Sequence, residues 1–379
     1  MELKVKENRK ICVECVMDDT DPDIVFDEDG VCDYCHAAEK RPKPPREFII
    51  DDKLFLDDLI AIVDKIKKAG KGKRYDCLIG LSGGLDSSMV AHYVKALGLR
   101  PLAFVFDNDW NSKIAESNIR GILDNLHIDC ERITLKGEQL RTFQELQVAF
   151  LAASVPNAEI PFDHVLGALL YRAARINNIK YIISGGNSAN EGTMPLAWSY
   201  YARDLTYIKS IYKKFVGKKL KGLPVMSMFK YLYYRNKVQT INLLDYYDFK
   251  QKTSKELLAK EYGWKDYGNK HCENKYTQWF QEYYQPKKFG YDKRKAHLSS
   301  LIHSGQITRD EALKELAIPL SEHQDISREI MQRFELPPKV FETMMKLPPM
   351  TYKDYYNGQW MWQFTFKIIR ALRKIKINL

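Results

Sequence analysis

The sequence predicts an α/β protein: a doubly wound parallel sheet, preceded by a small metal-binding ribbon and followed by a mainly helical region. Three observations carry this. Short apolar runs alternate with helical periodicity over residues 75–187, the pattern of parallel strands joined by crossover helices. Four cysteines near the N-terminus follow C-x2-C-x16-C-x2-C, a spacing suited to one tetrahedral ion. From about residue 245 onward the periodicity is helical. The expected division is 1–45 for ribbon and linker, 46–245 for the sheet domain and 246–379 for a helical domain meeting substrate or a partner.

Taken in order, Cys12, Cys15, Cys32 and Cys35 form two knuckles, and Asp29-Gly30 between them is a hairpin pair that folds the second knuckle back on the first. Four soft thiolates with no open position describe a structural zinc site, with metal–sulfur distances of about 2.3 Å. RPKPP (41–45) predicts an extended linker. Leu54, Phe55, Leu59, Ile62, Val63 and Ile66 recur at helical spacing. Asp76–Leu81 predicts a buried strand, and the run with Met89, Val90, Tyr93, Val94 and Leu97 a helix. LAFVFDND and IDCERITL are the next strands, separated by a helix over 112–126. A helix over 164–177 with Asp163 as N-cap leads into the strand YIISGGN, and 238–244 adds one more strand. Beyond these, Thr253 with Glu256 and Thr308 with Glu311 predict capping boxes. Residues 324–334 and 360–376 predict further helices, the last one basic and amphipathic.

Composition narrows the function classes. The 379 residues are 45% hydrophobic and 28% charged, a soluble globular balance. No run approaches the ~18 apolar residues of a membrane span, and MELKVKENRK lacks the apolar core of a signal peptide, so a cytoplasmic location is expected. The net charge of +10 invites a nucleic-acid reading. Yet 205–239 holds nine Lys/Arg and 365–379 five, neither with an acid, and the remainder has 45 basic against 49 acidic residues. The excess is local. A solvated basic face is the favoured reading, with docking to a partner subunit or a membrane surface as the alternative, and nucleic acid is not the expected partner.

The chemistry centres on SGGLDSS (82–88), between a strand end and a helix start. A helix N-terminus offers backbone N–H groups and the positive end of its dipole. Gly83 and Gly84 permit close backbone approach, while Ser82, Ser87 and Ser88 supply hydroxyls. Asp86 would repel a bare phosphate, which implies a bridging Mg²⁺. The G-K-[ST] ending of a Walker loop is missing. Two later strand ends fit the same edge: FDND (106–109), with Phe106 and either Asp107 or Asp109, and GGNSANEG (185–192), with Gly185, Gly186 and Asn187. A structural turn is the competing account of both.

The loop resembles the pyrophosphate loop of the ATP pyrophosphatase superfamily, whose members cleave ATP between the α and β phosphates and adenylate a carbonyl-type oxygen. The four-cysteine ribbon, SGGLDSS, GGNSANEG, YGNKHCEN and KKFGYDKRKAHLSSLIHSGQITRDEAL together are similar to the N-acetyl sugar amidotransferase family of bacterial surface-glycan biosynthesis, over about residues 10–350. That resemblance implies conversion of a sugar acetamido group to acetamidino, on a nucleotide-linked diacetamido uronic acid or a nonulosonic acid, in the making of lipopolysaccharide O-antigen, capsule or flagellin glycan. It implies ATP and Mg²⁺ as well. The implied path adenylates the amide oxygen, after which ammonia attacks the imidate carbon and expels AMP. Asp86 with Mg²⁺, and Lys288, Lys293 and Arg294, would stabilise charge on the phosphates. Lys270, His271 and Glu273 are candidate substrate contacts, the last two also candidate general bases.

Ammonia needs a source. Cys77, Cys130 and Cys272 lie in neither a Gly-flanked turn nor an N-terminal position, so the chain is expected not to hydrolyse glutamine itself. The resemblance implies a separate glutaminase subunit like that of imidazole-glycerol-phosphate synthase, with a cyclase-like barrel as a further partner. Two rival readings stand beside this one: a tRNA thiolase, which needs sulfur-carrying cysteines near ATP, and a non-enzymatic zinc-ribbon scaffold that binds nucleic acid.

Overall fold

The computed structural model describes residues 9–41 and 52–377; all but Arg41 of the RPKPP stretch lies outside them. The chain forms two compact units. The first holds the residues up to Leu135, Leu169–Pro195 and Tyr234–Arg333; the second holds Lys136–Ala168, Leu196–Tyr233 and the chain from Phe334.

In the first unit, strands β1 (Cys77–Gly80), β2 (Pro101–Asp107), β3 (Asp129–Thr134), β4 (Tyr181–Ser184) and β5 (Gln239–Asn242) form one sheet in the order β3-β2-β1-β4-β5. All neighbouring strands are parallel, with Ile79 opposite both Ala103 and Ile183. The central strands are apolar at consecutive positions because both faces are covered. Ile79, Leu81, Ala103, Val105 and Ile183 pack on one side with Leu59, Val63, Val90, Ile119 and Leu258. The intervening Leu78, Leu102, Phe104 and Ile182 are buried as well. The outer strands β3 and β5 are largely exposed. After β3 the chain returns to the far side of β1, so the carboxyl ends of β1 and β4 flank a topological switch point, where such sheets bind ligands.

The helices covering this sheet run over Asp52–Gly70, Leu85–Ala96, Lys113–Leu126 and Gln251–Tyr262. Ser112 caps the third, its Oγ accepting from Ala115 N at 3.0 Å. Two expected caps are corrected. The Ile160–Ile176 helix begins before Asp163, which lies in its first turn. The Gln251–Tyr262 helix is entered at Lys250, so Thr253 sits inside it and its hydroxyl reaches back to Lys250 O. Thr308 and Glu311 do form a capping box on the Arg309–Leu316 helix.

The second unit is built from helices, among them Gly137–Ala152, Leu205–Val216, Pro338–Lys346 and Gln359–Ile377. Buried Asp204 ties it together. Its Oδ1 accepts from Thr206 N (3.0 Å) and its Oδ2 from Tyr200 OH (2.7 Å) and Gly358 N (2.6 Å). A buried carboxylate that accepts from several donors holds the segments carrying them in place. Among the described residues no helix is long and apolar enough to cross a membrane.

Candidate active site

The β1 carboxyl end runs into Ser82–Ser88, and the Leu85–Ala96 helix starts there with Gly84 as its N-cap. Gly83 has φ +78°, and a Cβ on it would fall 2.4 Å from Ala115 O, so both its conformation and its packing require glycine. Its carbonyl accepts from Asn118 Nδ2 and Trp264 Nε1, each at 3.1 Å. Within the loop, Gly84 N donates to Ser82 Oγ (3.2 Å), Ser82 N to Ser87 Oγ (3.2 Å) and Ser87 Oγ to Gly84 O (3.1 Å). Tyr267 OH accepts from Leu85 N at 3.0 Å. The amides of Asp86 and Ser87 lie in the first turn, where a helix has no acceptor of its own.

Charge gathers beside this loop. Lys270 Nζ lies 3.0 Å from Asp86 Oδ2 and 2.9 Å from Glu191 Oε1, and Asn190 Nδ2 donates to Asp86 Oδ1 at 3.1 Å. Burial opposes the ammonium, but the two carboxylates outweigh it and hold its pKa above the ordinary lysine value. His271 Nε2 is 3.8 Å from Glu191 Oε1, and its ring is 5.6 Å from that of His297. Burial, then the charge of Lys270, depresses both histidines well below the usual range, with Lys293 adding to it. Both imidazoles are therefore neutral. Glu273 Oε1 accepts from Ser82 Oγ at 3.4 Å, while its Oε2 is buried with no hydrogen-bond partner among the described residues. Burial, with Asp86 nearby, pushes its carboxyl up to about 7.

Other expected site residues fall elsewhere or serve the scaffold. Asn187 caps the Ser188–Glu191 turn, accepting from Asn190 N at 2.9 Å, and Gly185 packs so that a Cβ would meet Asp86 and Ser87 at 3.4 Å. Gly186 N donates to Ser184 Oγ at 3.1 Å. Ser88 is buried behind the loop and Phe106 within the sheet. Asp107 pairs with Arg132 at 3.2 Å and accepts from Asp109 N at 3.0 Å. Lys288 is buried on Gln285–Phe289, its amine lowered to about 8 by burial. Lys293 precedes the Arg294–His303 helix. Arg294 is not brought to the loop: its guanidinium binds Asp292 at 2.7 Å and the carbonyls of Glu315 and Ile318 at 3.1 and 3.0 Å. The sequence reading missed Asn190, Glu191, His297 and Tyr267 as site residues. The first two lie inside GGNSANEG, two and three places after Ser188.

The ribbon is built as its spacing requires. The Sγ atoms of Cys12 and Cys35 are 3.7 Å apart, of Cys15 and Cys32 3.6 Å, and of Cys32 and Cys35 3.7 Å. A tetrahedron with metal–sulfur bonds of about 2.3 Å has edges of about 3.8 Å, so these residues fit zinc. Cys32 N and Cys15 N point at Cys12 Sγ (3.3 and 3.5 Å), and His303 Nε2 lies 3.2 Å from Cys35 Sγ. Arg309 donates to the carbonyls of Cys12 and Cys15 at 3.0 Å. Such outer contacts orient metal ligands.

Fold and site together define a doubly wound α/β protein with an N-terminal four-cysteine cluster and a charged recess at its switch point. Residues 273–370 match the family described as "LPS biosynthesis protein WbpG-like, C-terminal domain", which bears out, for that segment, the resemblance to a surface-glycan family. No curated protein matches the chain. Among solved structures it is similar to NMN synthetase from Francisella tularensis, at 19% identity and TM-score 0.28, over 34% of this chain and 53% of that one, about half its length. An NH3-dependent NAD synthetase from Campylobacter jejuni subsp. jejuni, in complex with the nitrate ion, matches at 18% identity and TM-score 0.28, over 43% of this chain and 73% of that one. An NAD+ synthetase from Burkholderia pseudomallei matches at 14% identity and TM-score 0.28, over 74% of this chain and 86% of that one.

Proposed function

We propose that the protein is an ATP-dependent amidotransferase of lipopolysaccharide-type glycan biosynthesis, which replaces the oxygen of a sugar acetamido group by nitrogen. One observation carries the reading: Glu273, from the segment that matches the lipopolysaccharide family, meets Ser82 in the loop that starts the Leu85–Ala96 helix. The acetamido oxygen attacks the α-phosphorus of ATP and pyrophosphate leaves. Ammonia then adds to the imidate carbon, and the oxygen departs with AMP, which leaves the amidine. The loop amides and the serine hydroxyls bind the phosphates. Lys270 supplies positive charge beside them. Mg²⁺, held by Asp86, would neutralise phosphate charge in the transition state. Glu273, half-ionised near pH 7, takes the proton that the attacking nitrogen sheds. Ammonia comes from a separate glutaminase subunit: Cys77 and Cys272 are buried thiols, and Cys130, though exposed, lies within β3 with its thiol pushed up by burial rather than in a helix-start turn that would activate it.

The test is to incubate the purified chain with ATP, Mg²⁺, ammonium and candidate acetamido sugars, free and nucleotide-linked. AMP release that depends on the sugar, with product lighter by the difference between O and NH, is the expected result. No AMP with any acetamido sugar would sink the proposal. Product from glutamine with this chain alone would remove the separate subunit.

A further inference from the structure

The positive charge of the chain belongs to one of its two units. Residues 136–168, 196–233 and 334–379 hold 18 Lys and Arg against 8 Asp and Glu, while the rest of the chain is balanced at 41 and 41. The second unit therefore carries the whole excess of +10. Within it, the first part of the Met228–Lys237 helix packs against the Gln359–Ile377 helix: the rings of Tyr231 and Trp362 are 5.5 Å apart, and Thr365 Oγ1 is 3.4 Å from Met228 Sδ. Both already have a buried contact.

What they leave in water is aromatic. Trp360 is 70% exposed, Phe364 61% and Ile368 43%, and Phe229 on the neighbouring helix is 80% exposed. Trp360, Phe364 and Ile368 recur every fourth residue, so they form one row along the helix. Exposed Lys230 and Lys367 accompany them, and Arg370, Arg373, Lys374 and Lys376 follow along the same helix. Single exposed apolar residues are ordinary; a row of them beside a strongly basic run is not.

We propose that this face seats the protein on an anionic lipid bilayer. The aromatic row enters the boundary between headgroups and acyl chains, and Lys230 and Lys367 meet lipid phosphates. Composition favours lipid over a protein partner, because protein interfaces are depleted of lysine at their centres. The row is too short and too charged a helix face to span, so the attachment is peripheral and reversible. The proposal is independent of the reaction assigned above, since none of these residues belongs to the recess.

The experiment is flotation of the full chain with vesicles of phosphatidylcholine alone or with a third of phosphatidylglycerol. Partitioning at least about tenfold stronger onto the anionic vesicles, and weakened at high salt, is expected. Trp360→Ser with Phe364→Ser should lower it about tenfold while the melting temperature stays unchanged. If that pair unfolds the protein, Phe229→Ser and Lys367→Glu serve instead, each with a smaller loss. Equal partitioning onto both vesicles, or variants that float like the parent, overturns the proposal. So does a parent that ignores vesicles but sediments as an oligomer that Trp360→Ser dissociates, which would make the face a protein interface.

Discussion

Lys270 is the residue on which the recess turns, since its ammonium separates Asp86 from Glu191. Lys270→Met should cut sugar-dependent AMP release about a hundredfold and raise KM for ATP, as loss of a preorganised charge does; unchanged kinetics would remove it from the site. Glu273 offers a pH signature. Unfolded, it ionises near its ordinary 4.5, and folded near 7, so the native state holds the extra proton between those values. Stability then falls as pH rises through that window and levels above it. Glu273→Gln should gain melting temperature over the parent between pH 5 and pH 8 and lose the rise of activity through neutrality. A constant gap in melting temperature would contradict the assignment. Sequence alone displayed the loop because its glycines and hydroxyls are adjacent. It did not display that Lys270 would reach Asp86 across 184 positions, nor that Asp292, two residues before Arg294, would consume that guanidinium.

At the scale of elements, the strands were legible because β1, β2 and β4 are short, apolar and buried on both faces. The Gly137–Ala152 helix was not, since Thr142, Phe143, Leu146, Gln147, Ala149, Phe150 and Leu151 are all buried, which flattens the contrast between faces on which periodicity depends. The Leu205–Val216 helix was read only as charge, although Asp204 is its N-cap. His164 joins two segments here: its Nδ1–H donates to Ala202 O at 2.8 Å and its Nε2 accepts from Met226 N at 3.1 Å. That arrangement needs a neutral ring, and burial keeps the pKa below the usual 6.5. The unfolded chain takes the proton first, so stability declines as pH falls below 6.5 toward the folded pKa. His164→Ala should cost about 2 kcal/mol by leaving its backbone partners unpaired, and it should shallow the acid limb of a pH–stability curve. An acid limb as steep as the parent's would refute this.

On the scale of the whole molecule, the ribbon is a structural member of the first unit. Val16 packs with Leu298 and Ala312, and Val16 N donates to Ser299 Oγ at 3.3 Å. Removing the metal should therefore reach the recess, because the Arg294–His303 helix carries both His303, beside Cys35, and His297, beside His271. We expect one colourless zinc per chain; Cys32→Ser should abolish it and lower the melting temperature by at least about 5 °C. A brown iron–sulfur cluster would instead favour the thiolase reading. The cysteine pattern was plain in the sequence, but its seat was not, since Arg309 lies 297 positions from Cys12.

That separation has a consequence for how the protein is made. Translation delivers Cys12 to Cys35 long before His303 and Arg309 exist, so all four ligands are in place while their eventual neighbours are still unsynthesised. The ribbon's two knuckles are contiguous enough to capture its ion alone. Docking waits until the Arg294–His303 and Arg309–Leu316 helices emerge, and it closes a loop that separates Cys12 from Arg309 by 297 positions. The ribbon is thus a part made in advance, held in reserve by its metal until the far end of the chain arrives to receive it.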